Sequence, residues 1–365
     1  MRGGERQALY LCCALRSRGH RNVVVARPGA PFTLEAARLG FETFPLPFRG
    51  EWDPMTALRL ARLARRAKRP VLHAHTAHAA AAARAASLLS GAPYVAHRRV
   101  DFALGGRLSR GLKYEPAGRV VAVSGAIRGV LLESGLSPGK IEVVPDAIPV
   151  NGEECRWAGI PEERFSPPSP DLKTLFRKDL GREFGLDCEA GWVGNLAALV
   201  PHKDHDNLIA AALIVLLKRP KTVFLIAGEG PEGPRLLRQI KRMNLLGKVI
   251  LVGQLPDPIP LLKALDVFSL SSWGEGMGSV LLEAASCGVP IAATTAGGIP
   301  EFVADGRGGL LCPPRNPEAL AHHILTLLEE RGLAGELARQ ARAELTKFGL
   351  ERLARQMEAV YESVA

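Results

Sequence analysis

Short apolar runs alternate along this chain with longer segments in which apolar residues recur every three or four positions. Apolar runs bounded by turn residues are typical of buried strands, and the longer segments are typical of the helices that connect parallel strands. The predicted strands are Asn22–Ala26, Val71–Ala74, Tyr94–Ala96, Val120–Val123, Ile141–Val144, Gly191–Leu196, Thr222–Ala227, Lys248–Val252 and Val267–Leu270. The predicted helices are Gln7–Arg18, Ala77–Leu89, Gly125–Ser134, Asp171–Phe184, Asp206–Leu217, Pro234–Asn244, Val280–Ser286 and Leu350–Val364. This alternation predicts an α/β protein with parallel sheets.

The α/β pattern occurs twice, once on each side of a segment without periodicity. That segment, Asn151–Pro170, is rich in proline, glycine and charged residues, so we predict that it links two domains. Residues 1–160 and 171–348 would then form two Rossmann-like domains, each a doubly wound parallel sheet. Residues 349–365 would form a C-terminal helix that crosses back to the first domain.

The beginning of the chain carries a turn signal without a strand before it. Gly3 and Gly4 are typical of the turn that follows the first strand of such a sheet, but only Met1 and Arg2 precede them. We therefore expect the first strand to be missing from this sequence and the coding frame to continue upstream with an apolar strand. An in-frame stop directly upstream, together with a soluble and active product, would contradict that expectation.

The most informative stretch is a strand, a glycine loop and a helix near the middle of the second half. Three glycines at 274–278 follow the strand Val267–Leu270, and a helix begins after them. Such a turn brings backbone close to a ligand and directs the N–H groups of a helix N-terminus at it, which favours phosphate. Glu275 lies in the loop and Glu283 in the helix, where its side chain leans back toward the N-terminus. Carboxylates accept hydrogen bonds from hydroxyl groups, so the predicted ligand is a nucleotide sugar.

The spacing of Glu275 and Glu283 resembles the E-x7-E signature of the retaining GT-B glycosyltransferases of family 4, also called group 1. The blocks Ala227–Pro231, Gly288–Val303 and Gly309–Pro314 are similar to that family too, so the resemblance extends over about half of the chain. It implies two Rossmann-like domains that face a cleft. It also implies transfer of a sugar from a nucleotide-sugar donor with retention of configuration.

The same resemblance implies roles for individual residues. Glu283 would bind the ribose hydroxyls of the nucleotide, and Glu275 would bind the hydroxyls of the donor sugar. The other implied donor-binding positions are Met277, Gly278, Ser279, Gly228 and Leu255, and the glycine loop of the first domain corresponds to Gly3 and Gly4. No metal and no other cofactor is expected, because GT-B enzymes typically need none.

A lysine is implied as the cation that stabilises the leaving diphosphate. Lys203 matches the lysine of the family's phosphate-binding block, whereas Ala198 stands where an arginine is usual. One cation together with a helix N-terminus can still stabilise a developing anion. The alternative of a catalytically silent, nucleotide-sugar-binding protein therefore stays open.

Histidines cluster near two predicted strand ends in the first half. His73, His75 and His78 could in principle ligate a metal, but no cysteine or acidic ligand is near in sequence, and no metal site is predicted. His97 ends another strand, at the sheet edge where ligands of parallel sheets bind. The resemblance places a histidine there close to the donor sugar and the acceptor, so His97 joins Glu275 and Lys203 as a catalytic candidate. A structural role for His97 is the alternative.

Charge is distributed unevenly between the two halves. Residues 1–150 contain 23 Lys and Arg against 10 Asp and Glu, a net charge of +13, whereas residues 151–365 contain 24 against 27, a net charge of −3. A basic amphipathic helix is predicted near Leu58–Arg69; its cations are Arg59, Arg62, Arg65, Arg66, Lys68 and Arg69. Such a helix fits either a solvated surface or an anionic membrane. Nucleic acid is not predicted, because no nucleic-acid-binding motif accompanies the charge.

Composition also indicates the cellular compartment of the protein. The six cysteines form no CxxC pair, which is typical of a reducing cytoplasm, and apolar stretches such as Leu208–Leu217 are too short to span a bilayer. We expect a cytoplasmic protein, or one peripheral at the inner face of the cytoplasmic membrane. The predicted acceptor is the lipopolysaccharide core or another lipid-linked cell-surface glycan. A soluble acceptor is the alternative.

Overall fold

A computed structural model describes residues 3–365 of the chain, except for the side chain of Arg107. The chain divides into two compact units. Unit 1 comprises the residues up to Pro161 together with Lys347–Ala365, and unit 2 comprises Glu162–Thr346. Met1 and Arg2 lie outside the described residues, so the expected upstream strand remains a prediction.

The described residues of unit 1 form six parallel strands in two sheets. The strands are β1 Val23–Ala26, β2 Glu42–Pro45, β3 Leu72–Ala74, β4 Tyr94–Arg98, β5 Arg119–Ala122 and β6 Ile141–Val143. β1 pairs with β2, and the other four pair in the order β3-β4-β5-β6. The helices between them are α1 Gly3–Ser17, α2 Pro31–Arg38, α3 Pro54–Arg65, α4 Ala77–Ser90, α5 Gly106–Lys113, α6 Gly125–Glu133 and α7 Gly152–Ala158.

The basic helix begins and ends four residues earlier than the predicted Leu58–Arg69. α3 ends at Arg65, so Lys68 and Arg69 lie outside it. The residue before a proline is disfavoured in the α conformation, and Arg69, which precedes Pro70, has a left-handed φ of 49°. The apolar face of α3 is buried and packs on α4, while its arginines are exposed.

The predicted linker was partly wrong, because it contains a helix. The side chain of Asn151 accepts a hydrogen bond from the Glu154 amide at 2.9 Å, and Gly159 ends α7 in a left-handed conformation. The Glu154 carboxylate accepts further bonds from the amides of Val150 and Glu351, each at 2.9 Å. α7 is therefore an integral part of unit 1.

Unit 2 contains one parallel sheet of six strands. The strands are β7 Trp192–Leu196, β8 Val223–Ala227, β9 Val249–Gly253, β10 Val267–Leu270, β11 Ile291–Thr294 and β12 Leu310–Cys312. The helices are α8 Pro170–Phe184, α9 His205–Lys218, α10 Gly233–Arg242, α11 Ile259–Ala264, α12 Ser279–Ser286, α13 Pro317–Glu329 and α14 Arg331–Glu344. The strand order is β12-β11-β10-β7-β8-β9. The chain thus proceeds from β7 outward through β8 and β9, and then returns to place β10 on the other side of β7.

A buried charge network fixes the start of β10. The Asp266 carboxylate pairs with Lys173 and with Arg177 of α8, each at 3.0 Å, and accepts a bond from the Trp192 amide at 2.9 Å. Burial alone would raise the pKa of Asp266, but the two cations and the amide hold it at about 2. The strand that leads to the glycine loop is therefore anchored to both α8 and β7.

The last helix, α15 Leu350–Glu362, belongs to unit 1 and packs on α1. Arg18, directly after α1, donates a hydrogen bond to Glu358 at 2.8 Å, and the hydroxyl of Tyr361 lies 2.7 Å from Nδ1 of His73. Among the described residues, no helix is both long enough and apolar enough to cross a membrane.

Candidate active site

The loops that follow β7 and β10 meet where the sheet of unit 2 reverses its strand order. The amide of Trp273, after β10, donates to the carbonyl of His202, after β7, at 3.0 Å. The hydroxyl of Ser271 donates to the carbonyl of Lys203, also at 3.0 Å. In open parallel sheets, ligands bind at this topological switch point, outside the carboxyl ends of the strands. The site therefore has the position expected of a ligand-binding site.

Lys203 and Glu275 form an ion pair at the switch point. The ammonium of Lys203 donates directly to Oε2 of Glu275, and the Ser272 hydroxyl donates to the same oxygen at 3.2 Å. Both side chains are largely removed from solvent, which strengthens a charge pair relative to an exposed one. These two candidates, 72 positions apart in the chain, thus lie together in the folded protein.

Two glycines allow the backbone to pack tightly around this site. Gly297 has a φ of +52°, and a Cβ atom there would lie 1.8 Å from the carbonyl oxygen of Glu275. Gly228 has a φ of +148°, and a Cβ atom there would lie 1.9 Å from the carbonyl oxygen of Ala197. No larger residue fits either position without moving the backbone. Gly228 thus has a steric role at the end of β8, besides the donor contact that the resemblance implies.

Helix α12 begins at Ser279, directly after Gly278, which adopts a left-handed conformation with a φ of +76°. The first N–H groups of a helix have no partner within it, and they attract anions. Met277 and Gly278 are buried and Ser279 is half-buried. The three positions expected to contact phosphate therefore form the N-terminal approach to α12.

Glu283 is a buried carboxylate. It is only 9% exposed and lies between the buried residues Leu282 and Ala284 in the second turn of α12. Its removal would therefore affect packing as well as ligand binding, because a buried polar group is costly to leave without its partners. Glutamine is the appropriate substitution for a test of its role.

The remaining donor-side positions lie at neighbouring strand ends. The Gly228 amide, after β8, donates to the Gly253 carbonyl at the end of β9 at 2.8 Å. Leu255 follows β9 and is half-buried, and Ala198, at the usual arginine position, is exposed after β7. Gly228 and Leu255 thus lie on adjacent strand ends of the sheet that carries Lys203 and Glu275.

Three histidines of unit 1 stack at the ends of β3 and β4. The ring centroid of His73 lies 4.1 Å from that of His75 and 5.4 Å from that of His97. His78 is exposed on α4, so His97 takes the third position that the sequence suggested for His78. His97 is 5% exposed, and neither ring nitrogen has a hydrogen-bond partner among residues 3–365.

The three imidazoles are uncharged at neutral pH. Burial is the main cause, and it lowers the pKa of His73 to about 3 and the pKa values of His75 and His97 well below 6.5. Arg99 adds to this effect through its positive charge. Neutral imidazoles can both donate and accept hydrogen bonds, so they suit a ligand with hydroxyl groups.

The cluster has the residue types of a metal site. One potential ligand nitrogen from each of the three histidines lies within 4.8 Å of the others, and histidine nitrogens are common zinc ligands. The ring planes of His73 and His97 differ by only 10°. The arrangement is thus compatible with hydrogen bonding to a ligand and with metal coordination, and the expectation that no metal binds stays a prediction.

An arginine connects the histidines to the start of α1, where Gly3 and Gly4 are helical and do not form the glycine loop expected from the sequence. Arg99 pairs with Asp146 at 3.0 Å and donates to Nδ1 of His75 at 3.1 Å. A Cβ atom at Gly4 would lie 3.7 Å from Cδ of Arg99, so the start of α1 approaches the same group, and α1 itself begins at Gly3. Sequence reasoning did not identify Arg99. The available signal was its position two residues after His97.

Two Rossmann-like units, with a glycine loop between Glu275 and Glu283 at the switch point of unit 2, define the GT-B class of glycosyltransferases. The family model described as "Glycosyl transferases group 1" matches residues 182–344, and the one described as "Glycosyltransferase Family 4" matches residues 1–151. This chain belongs to the group 1 glycosyltransferases of family 4. The family and the two-domain α/β fold predicted from the sequence are confirmed.

Relatives and solved structures agree with this assignment. N-acetyl-alpha-D-glucosaminyl L-malate synthase of Bacillus anthracis is 33% identical over 198 residues, which are 53% of this chain and 52% of the relative. The lipopolysaccharide core biosynthesis mannosyltransferase LpsB of Rhizobium meliloti is 29% identical over 215 residues, 56% and 59% of the two chains. The chain thus matches about half the length of these curated relatives. The crystal structure of Anabaena HepE in complex with UDP-glucose superposes with a TM-score of 0.84 at 22% identity, covering 99% of this chain and 96% of that one, which shows the shared fold.

Proposed function

We propose that this protein transfers a sugar, with retention of configuration, from a nucleotide-sugar donor to a lipid-linked cell-surface glycan such as the lipopolysaccharide core. The observation that carries the proposal is the Lys203–Glu275 ion pair at the switch point of unit 2. A cation and a carboxylate side by side, next to the N-terminus of α12, suit a ligand that combines phosphates with sugar hydroxyls.

The proposed chemistry begins when the bond between the anomeric carbon and the diphosphate oxygen breaks. The bonding electrons leave with the nucleoside diphosphate, so negative charge grows there and positive charge grows on the sugar ring. Lys203 and the N-terminus of α12 stabilise the leaving diphosphate. Glu275 binds the hydroxyls of the donor sugar, Glu283 binds the ribose, and the backbone of 277–279 holds the phosphates.

A neutral histidine serves the other side of the proposed reaction. Within the described part of the chain, neither ring nitrogen of His97 has a partner, so it can accept one hydrogen bond and donate another to hydroxyls of the donor sugar or the acceptor. We propose that no step needs a metal. Transfer should therefore continue in the presence of EDTA.

Two observations bear on the acceptor. One relative is named for lipopolysaccharide core biosynthesis and another for L-malate, so the relatives include both kinds of acceptor. The net charge of +13 on residues 1–150 favours an acceptor at an anionic membrane over a soluble one. We propose on this basis that the protein works at the inner face of the cytoplasmic membrane.

A catalytically silent, sugar-nucleotide-binding protein is the second candidate. The resemblance implies an arginine at the position of Ala198, so this chain has no second cation there, and the charge of Lys203 is already balanced by Glu275. Such a site can bind a donor but stabilises a developing diphosphate less well. Donor binding without turnover would identify this case.

The test is an incubation of the full-length protein with a panel of radiolabelled nucleotide sugars and a membrane extract. We expect label from one donor to enter the lipid fraction, with EDTA present or absent, and Lys203→Ala to abolish most of it. Label that enters only water-soluble products would assign the soluble-acceptor alternative. No incorporation from any donor, despite measurable donor binding, would contradict transferase activity.

A further inference from the structure

Helix α5 buries a lysine and exposes two leucines, which is the reverse of the usual burial on a surface helix. Lys113 is 7% exposed, and its ammonium donates to both carboxylate oxygens of Glu51 at 2.8 and 2.7 Å. Leu108 and Leu112, four residues apart and therefore on one face, are exposed, Leu108 to 74%. A surface helix normally buries its leucines and exposes its lysine. α5 thus carries an apolar face that unit 1 does not cover.

The apolar surface extends beyond the helix. Trp52 is exposed and lines, together with Leu108 and Leu112, a cavity of about 410 Å³. Val100 and Phe102, in the loop before α5, are exposed as well. We call these five residues the α5 patch. Clustered exposed apolar side chains of this size mark an interaction surface.

Positive charge accompanies the α5 patch. Arg98 lines the same cavity, and α4 packs against both α5 and the arginine-bearing helix α3. Arg59, Arg62 and Arg65 of α3 are exposed. Arg98 thus lies beside the apolar face, and the arginines of α3 are separated from it by α4. An apolar surface combined with basic residues is typical of segments that lie in the interface of an anionic bilayer. The leucines and the tryptophan would enter the headgroup region, while the arginines remain among the phosphates.

We propose that unit 1 docks on an anionic lipid bilayer through the α5 patch, with the arginines of α3 supplying longer-range attraction. The biological purpose of this docking rests on the proposed function, because a lipid-linked acceptor is reached at a membrane. The physical claim is independent of catalysis. According to this proposal, α5 and not α3 enters the bilayer, because the apolar face of α3 is already buried within unit 1.

Co-sedimentation with phosphatidylcholine vesicles, with and without phosphatidylglycerol, tests the proposal on the full-length protein. The double variant Leu108→Ser, Leu112→Ser should bind anionic vesicles at least about tenfold more weakly, because two apolar insertions are lost. Leu217→Ser is the matched control, since Leu217 is 79% exposed on α9 of unit 2, and it should bind like the wild type. Equal binding by all three proteins would overturn the proposal.

Tryptophan quenching provides a second readout that does not depend on the leucine variants. Brominated phosphatidylcholine in anionic vesicles should quench part of the intrinsic fluorescence, because Trp52 enters the bilayer. That part should disappear in Trp52→Phe. Quenching that is unchanged by Trp52→Phe would overturn the proposal. A second result would also overturn it: a wild-type dimer in sedimentation velocity that becomes a monomer in the double leucine variant. That result would show that the α5 patch binds a second copy of the chain.

Donor titration separates this proposal from the proposed function. The double leucine variant should bind nucleotide sugar as the wild type does, since the donor-side residues are in unit 2. If vesicle binding depends on the α5 patch but no sugar is transferred, the docking stands and the transferase proposal fails. If sugar is transferred but vesicle binding is unchanged by substitutions in the α5 patch, only the docking proposal fails.

Discussion

The two units place opposite kinds of chemistry at the ends of their strands. In unit 2, a lysine and a glutamate form a charged pair beside a helix N-terminus. In unit 1, three stacked histidines are held neutral by burial and by Arg99. Charged groups suit a ligand that carries phosphate, and neutral imidazoles suit hydroxyl groups. The contrast therefore agrees with the proposed roles of the two units, in which unit 2 binds the donor and unit 1 binds the acceptor.

The largest effect is expected from Gly228→Ala. This substitution tests whether the donor-binding part of unit 2 requires the backbone at position 228 to lie close to that of Ala197. The new methyl group would meet the Ala197 carbonyl at 1.9 Å in a backbone conformation that alanine avoids, so unit 2 should lose about 3 kcal/mol or more of unfolding free energy. Gly247→Ala is the control: its φ is +74°, but no atom lies within 4 Å, and it should cost only about 1 kcal/mol. Equal losses in denaturant unfolding would contradict the steric account.

Lys203→Ala should reduce turnover by about 10²-fold or more, because it removes a preorganised charge from the leaving diphosphate. The exposed Lys241 of α10 supplies the control, and Lys241→Ala should leave turnover unchanged. Steady-state kinetics with the donor identified in the incorporation assay provide the measurement. Wild-type turnover in Lys203→Ala would mean that the diphosphate is stabilised elsewhere.

Acidification should affect unit 1 more than unit 2, because burial lowers the pKa of three histidines described in unit 1 but of only one described in unit 2, His205, to about 4. Below pH 6.5 the histidines take up protons in the unfolded chain but not in the folded one, so the free energy of unfolding falls as the pH falls. His73 alone, with a folded pKa of about 3, would contribute about 2 kcal/mol of destabilisation at pH 5. Hydrogen exchange should therefore accelerate in peptides of β3 and β4 between pH 7 and 5, after correction for intrinsic rates. The change should be smaller in His73→Gln, and an equal change in β7 and β8 would remove the contrast.

The smallest effect is expected from charge neutralisation on unit 1. Replacing Arg62, Arg65, Arg66 and Arg69 with glutamine should weaken binding to anionic vesicles about fivefold at physiological salt, and more at low salt, because exposed charges are screened. The control replaces Arg238, Lys241 and Arg242, exposed on α10 of unit 2, and should change little. An equal decrease in both proteins would show that the charge acts without regard to its location.

Elements of the fold were predictable where a clear apolar run or a long helical periodicity marked them. The strand Val267–Leu270 has its predicted bounds, because an apolar run ends there at a glycine loop. The helix α7 was missed although its signals, Asn151 and Gly159, were in the sequence, since seven residues are too few to show periodicity. α5 was missed for a related reason: its apolar residues face outward, so no buried stripe marks it.

The site was predictable as residue types but not as an arrangement. The pairing of Lys203 with Glu275 depends on the placement of β10 beside β7, which is a property of the strand order and not of either segment. For the same reason His97 joins His73 and His75 across neighbouring strands, whereas proximity in sequence suggested His78. The burial of Glu283 was also not predictable, because it results from the packing of α11 and α14 on α12.

The central claim is that unit 2 binds a nucleotide sugar through Glu275, Glu283 and Lys203. It is tested most directly by calorimetric titration of the full-length protein with nucleotide sugars, including UDP-glucose and GDP-mannose. We predict that at least one of them binds, that Glu283→Gln weakens it about tenfold or more through loss of a charged acceptor for hydroxyl groups, and that Glu318→Gln, at an exposed site on α13, leaves the affinity unchanged. Unchanged affinity in a correctly folded Glu283→Gln protein, or no binding of any nucleotide sugar, would contradict the claim.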